Sequence, residues 1–164
     1  MFEPMLEHGD LQLYRRFLTM NHACHEAIEP ILSVSPLPEL VPDWPQRSRL
    51  AALRLDVDEM GLPSIDLPAF GLAKPDLPQA VGIAYVVEGS RLGATVIHRQ
   101  LPSTQDGLSR NYLKGSAGGG QFRNFMEIVS ALEWTPPSLE RAARAAGETF
   151  DYFILAALKN GRAA

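Results

Sequence analysis

The stretch that most restricts how this 164-residue chain folds is residues 81–97, its most apolar segment, which carries Gly89 and Gly93 four positions apart with Ser90 between them. In a helix the two glycines share one face, roughly 40° apart around the axis. That face has no side chain over a full turn, and each glycine lowers helix stability by about 1 kcal/mol relative to alanine. Such a cost is tolerated where something flat or bulky lies against the main chain, either another helix or a planar ligand. A local alternative exists. Ile83 to Val87 and Thr95 to Ile97 are rich in β-branched residues, and Glu88-Gly89-Ser90 could turn a hairpin between two short buried strands. Nothing else in the chain alternates with period two, so those strands would lack sheet partners. A helix over about 76–101, ended by Pro102, is therefore expected.

The flanking segments repeat the helical theme. Asp10 is a plausible cap for a first helix from Leu11 to about residue 33, with Leu13, Phe17, Leu18, Met20, Ala27, Ile28, Ile31 and Leu32 at amphipathic spacing. Pro30 removes one backbone hydrogen bond and is expected to kink its last turn. Residues 35–45, broken by Pro36, Pro38, Pro42 and Pro45, read as a loop. A second helix is expected from about Pro45 to Met60, with Leu50, Leu53, Leu55 and Val57 as its apolar side. An irregular connection over 61–78 follows. A short fourth helix is expected from Asp106 to Lys114, closed by Gly115, and a flexible stretch from Ser116 to Gly120. That stretch is no phosphate loop, because it lacks a preceding strand and the Lys-Ser/Thr pair. A fifth helix covers about 121–133, and a sixth starts at the Thr135 cap with Pro136 at its first position and runs past Leu158. The expected fold is all-α: a single domain over 1–164 built as a multi-helix bundle.

Composition narrows the function classes. A net charge of −4, with Lys and Arg scattered, gives no support for a nucleic-acid or lipid-headgroup partner. The single cysteine, Cys24, excludes an internal disulfide. No basic region precedes an apolar core at the N-terminus, and Glu88 and Arg91 interrupt the best candidate for a membrane span. A cytoplasmic protein that does not enter a membrane is expected.

The first helix presents His22, His25 and Glu29 within about 60° of one another. An imidazole at 25 with a carboxylate at i+4 suits a metal ligand whose tautomer is fixed by an acceptor behind it. A buried or surface histidine without a ligand role fits the same residues. His98 lies about 180° from Gly89 and reads as structural or exposed. A dinuclear site would need a second helix with Glu-x-x-His, which is absent. Cys24 stands about 100° from His25 on a helix, a poor geometry for a nucleophile and its base.

His25-Glu26-Ala27-Ile28-Glu29, followed about 60 residues later by Tyr85-Val86-Val87-Glu88-Gly89-Ser90-Arg91-Leu92-Gly93, resembles the bacterial biliverdin-producing heme oxygenase family. Phe122-Arg123-Asn124-Phe125, Leu132-Glu133-Trp134-Thr135-Pro136 and Ala145-Ala146-Gly147-Glu148-Thr149-Phe150 fall in the order of that family's last two helices, so the resemblance covers about residues 11–160. It implies a heme oxygenase-like fold with heme between a proximal helix, whose His25 ligates iron with Glu29 behind it, and a distal helix whose Gly89 and Gly93 admit the porphyrin face. It places Tyr85 and Phe122 at the heme and Arg123 at one propionate, with Arg15 or Arg16 at the other. An arginine fork suits a carboxylate. The implied activity is oxygen-dependent cleavage of heme to biliverdin, iron and carbon monoxide, with electrons from a donor such as ferredoxin with its reductase, and with a phytochrome as a possible user of the product.

Three positions depart from the family pattern. Ser90 follows the first distal glycine where the better-known members carry an Asp that organises a catalytic water. Glu127 stands where some members have a cation, and the Trp beside Phe122 is missing. Two other readings stay open: a heme- or tetrapyrrole-binding protein on the same fold without turnover, and a bundle whose glycine face packs another helix.

Overall fold

The computed structural model describes residues 11–101, 108–116 and 120–162, and every regular element among them is helical. In chain order these are α1 (Leu11–Ser33), the single turns α2 (Leu37–Leu40) and α3 (Trp44–Arg47), α4 (Leu50–Glu59), α5 (Leu77–Gln100), α6 (Asn111–Ser116), α7 (Gly120–Ser130) and α8 (Pro136–Arg162). Asp10, Pro102, Asp106 and residues 117–119, on which parts of the expected boundaries rest, lie outside the described residues.

The glycine-bearing segment is a helix throughout, so the hairpin alternative falls. Its β-branched residues cost a few tenths of a kcal/mol each in a helix. Burial outweighs that, since Val81, Ile83, Val86, Val87 and Ile97 are all buried and apolar burial contributes about 25 cal/mol per Å². A capping box starts the helix: Asp76 Oδ1 accepts the Gln79 N–H at 3.0 Å, and Gln79 Oε1 accepts the Asp76 N–H at 3.1 Å. By length and composition α5 could cross a membrane, but 61% of its most apolar window is buried inside the fold. It is the core helix, packed most extensively on α8 and touched also by α6, α7, α1 and α2.

α1 matches the expected first helix and continues through Pro30 to Ser33. The single helix expected from Pro45 to Met60 is instead two, α3 and α4, broken at Ser48 and Arg49, and residues 37–40 of the expected loop form a helical turn. The break exists because its polar groups are held from elsewhere. The Arg49 N–H donates to Glu29 Oε1 at 3.1 Å, and the Ser48 hydroxyl donates to Glu29 Oε2. Leu50, Leu53 and Val57 are buried as expected, whereas Leu55 is exposed.

α6 runs through Gly115 to Ser116 rather than stopping before it. Its start is fixed by the fully buried Asp56 of α4, whose Oδ1 accepts the Asn111 N–H at 2.9 Å and whose Oδ2 accepts the Tyr112 N–H at 2.8 Å. α7 ends at Ser130, before the expected 133, with the Trp134 indole donating to the Val129 carbonyl at 2.9 Å. The Thr135 hydroxyl accepts the Ser138 N–H at 3.2 Å and so caps α8. The long connection after α4 turns at Gly61, in the left-handed region at φ +59°. It lies against α8 through Phe70, whose ring meets that of Tyr152 edge-on, while Tyr152 donates to the Pro68 carbonyl at 2.7 Å.

Candidate functional site

Gly82, Gly89 and Gly93 lie on one stripe of α5, within roughly 40° of one another. At Gly82 helix α8 crosses so closely that a Cβ would stand 2.0 Å from the Ala142 carbonyl oxygen. At Gly93 a Cβ would meet nothing within 4 Å, and at Gly89 only the Phe122 ring, at 3.7 Å. The two helices touch at one end of the stripe and leave a cavity of about 480 Å³ at the other. Its walls are Phe17, Met20 and Asn21 of α1, Tyr85, Val86, Gly89, Ser90, Leu92 and Gly93 of α5, Phe122 of α7, and Phe150, Phe153 and Ile154 of α8. About half of the surface of Leu92, Phe150 and Ile154 is exposed at its rim. An open apolar cleft of this size, with a few polar atoms at its base, has the character of a small-molecule site.

The polar base is a buried network. Ser90 Oγ donates to the Val87 carbonyl at 2.6 Å and accepts from Arg49 Nη2 at 2.9 Å. Arg49 Nη2 also donates to the Val87 carbonyl at 2.6 Å, while Nη1 reaches Tyr112 Oη at 3.2 Å and Ser116 Oγ at 2.9 Å. Tyr112 donates in turn to Asn21 Oδ1 at 3.1 Å. The buried guanidinium is thus held by uncharged oxygens, one turn beneath the glycine wall. Beside it a second cluster is ionic. Glu88, fully buried, takes Arg47 Nη1 at 2.9 Å and Arg91 Nε at 3.1 Å. Arg47 reaches the Gln121 carbonyl at 2.9 Å and Asn124 Oδ1 at 2.5 Å, and so ties α3 to α7. Buried ion pairs of this kind fix an arrangement more than they add stability.

His25 is fully buried and does not line the cavity. Its Nδ1 lies 2.7 Å from Glu29 Oε1, as the i+4 spacing predicts. Its Nε2 is buried without a partner, and the ring is walled edge-on by Tyr112 at 5.7 Å and by Phe153 at 6.4 Å between centroids. Phe153 is itself a cavity wall, so His25 stands behind that wall. Burial holds the imidazole below its ordinary 6.5, outweighing the opposing hydrogen bond from Glu29. For the Glu29 carboxyl, burial pushes upward, but its hydrogen bonds and the charge of its partners, His25, Ser48 and the Arg49 N–H among them, hold it below 4.5. The pair is therefore a neutral imidazole donating from Nδ1 to a carboxylate.

Of the residues expected at a site, the structure brings Tyr85, Gly89, Ser90, Gly93 and Phe122 together around the cavity. The Tyr85 and Phe122 rings pack at 6.0 Å. His25 and Glu29 stand one side chain away from it, the imidazole packed against the Phe153 wall with its Nε2 unpartnered. Arg123 is exposed on α7, and neither it nor Arg15 nor Arg16 lines the cavity. Cys24 is buried, its thiol pushed up to about 12 by burial, which rules it out as a nucleophile. No group of three metal-ligating side chains occurs among the described residues. A flat apolar ligand therefore fits the wall, and the group nearest to serving as an iron ligand is the unpartnered His25 Nε2 behind Phe153. Arg49, Tyr112 and Asn21 escaped the sequence reading. The available signal was Arg47-Ser48-Arg49, two arginines placed just before an apolar helix.

No family model matches the chain. Among curated proteins it is 25% identical over 145 residues to heme oxygenase PigA of Pseudomonas aeruginosa, covering 85% of this chain and 73% of that relative. It is 34% identical over 104 residues to a heme oxygenase of Xanthomonas campestris pv. campestris, covering 62% of this chain and 61% of that one. Less than two thirds of the Xanthomonas protein is thus spanned. The fold is similar to that of the NO- and CO-bound heme oxygenase from Neisseria meningitidis, with a TM-score of 0.71 and 23% identity over 90% of this chain and 75% of that one.

Proposed function

We propose that the chain is a member of the bacterial heme oxygenase family, and that it takes heme as substrate in the cavity between α5 and α8 and opens it to biliverdin. The observation that carries this reading is the bare main chain at Gly93 and Gly89, which a flat macrocycle can approach to van der Waals distance. Heme supplies the iron chemistry that activates dioxygen, with electrons from a separate donor such as a ferredoxin and its reductase, and releases iron and carbon monoxide.

The chain's own residues orient and exclude. Phe17, Phe122, Phe150 and Phe153 keep water from the macrocycle edge. The Ser90 proton is committed to the Val87 carbonyl and one lone pair to Arg49, which leaves one lone pair to accept from a water in the cavity. Ser90 stands where better-known members place a carboxylate, so a water there would be held by a hydroxyl backed by the Arg49 guanidinium. Ser90 in place of a carboxylate favours one second reading, a tetrapyrrole-binding protein on the same fold without turnover.

One experiment separates the two. Purified protein is titrated with hemin, then given ferredoxin, its reductase and NADPH under air. A Soret band followed by biliverdin absorption and carbon monoxide release is the expected result. A stable Soret band without product selects the second reading, and no Soret band overturns both.

A further inference from the structure

We infer that Arg47 is a positioning residue for the cavity, a latch that seats the first turn of α7 so that Phe122 covers the glycine wall. The seating of α7 stands whatever fills the cavity; its consequence for heme rests on the heme reading above.

Helix α7 supplies one wall of the cavity, yet apolar packing anchors the wrong end of it. Its buried side chains are Phe125 and Val129, both past the first turn. Phe122 is half-buried, and Arg123 and Asn124 beside it are exposed. The Phe122 ring nevertheless sits 3.7 Å from where a Gly89 Cβ would stand, and it packs on the Tyr85 ring at 6.0 Å. Arg47 supplies the missing anchorage. Its Nη1 donates to the Gln121 carbonyl at 2.9 Å and its Nη2 to Asn124 Oδ1 at 2.5 Å, so it grips α7 on both sides of Phe122.

The other end of the latch is rigid. Arg47 is buried, with Nη1 also on Glu88 Oε2 at 2.9 Å and Nε on Asp43 Oδ1 at 3.1 Å. Arg91 Nε holds the same Glu88 carboxylate at 3.1 Å, and Arg91 Nη2 donates to the Arg47 carbonyl at 2.7 Å. The main chain and the guanidinium of Arg47 are thus both fixed to α5, the helix that carries Gly89. A planar fork with donors in fixed directions can join three elements at once, which a lysine ammonium cannot. Glu88 orients Arg47, Arg47 seats α7, and α7 presents Phe122 to the glycine next to Glu88 in the chain.

The test is made on α7, because removing Arg47 would strip a partner from a buried carboxylate and endanger the whole fold. Asn124→Ala deletes the acceptor, whereas Asn124→Asp keeps it. In the protein without hemin, NMR reads hydrogen exchange at the main-chain amides of residues 124–127, which close the first turns of α7. Helix propensity alone would slow that exchange in Asn124→Ala, since alanine is the better helix former. The latch predicts the opposite sign: exchange at least about fivefold faster, as loss of a hydrogen bond to a charged group implies, with the amides of α5 unchanged. Asn124→Asp is expected to exchange at the native rate or more slowly. Unchanged or slower exchange in Asn124→Ala overturns the latch. With one equivalent of hemin bound, its transfer to apomyoglobin is expected to be about fivefold faster from Asn124→Ala, and native in rate from Asn124→Asp. Equal transfer from a loosened α7 overturns the role of Arg47 at the cavity. If the native protein takes up no hemin, the proposed function fails while amide exchange still decides the latch.

Discussion

Gly82 and Gly93 occupy the same stripe of the same helix, yet they answer to opposite demands. At Gly82 the missing side chain lets α8 bring the Ala142 carbonyl into the space a Cβ would fill. At Gly93 the missing side chain faces nothing in the protein. The first glycine is explained entirely by packing. The second costs helix stability with no packing return inside the chain, and it lines the cavity together with Gly89. Close helix packing therefore explains one end of the stripe, and the other end lies open beside the cavity.

Substitution by alanine breaks or sharpens that contrast. Gly82→Ala carries the largest expected effect, because the clash is with backbone and cannot be relieved by a rotamer change. A loss of about 3 kcal/mol, at the top of the usual overpacking range, is expected in urea unfolding, and an unchanged midpoint would show that α5 and α8 do not cross there. Gly93→Ala carries the smallest expected effect and the opposite sign. It should gain up to about 1 kcal/mol from helix propensity, and a destabilised variant would mean that the open end of the stripe is filled in solution.

The same contrast shows what was legible in the sequence. The all-α class, the span of α1 and the span of α5 follow from local spacing, the proline positions and the short-range caps that end each helix. The break at Ser48 and Arg49 does not, because what holds it comes from Glu29, nearly 20 residues away, and from Glu88 and Asn124 beyond. The start of α6 depends likewise on Asp56 of α4. At the site, Gly89 and Gly93 were readable as a bare face because they lie four positions apart on one helix. Gly82, seven positions before Gly89, was readable as part of the same stripe, but its meaning depends on where α8 crosses. His25 and Glu29 are paired as their spacing predicts. What spacing could not tell is which side of Phe153 they stand on.

The most direct test of the account is a hemin titration of the native protein and of Gly93→Leu, followed at the Soret band, with circular dichroism confirming that both are folded. A leucine at the open end of the stripe should project into the cavity without disturbing the core, so the account predicts one equivalent bound by the native chain and affinity at least about tenfold weaker in the variant, the equivalent of about 1.4 kcal/mol. Equal, stoichiometric binding by both proteins would contradict it, since the macrocycle would then lie somewhere other than against the glycine wall.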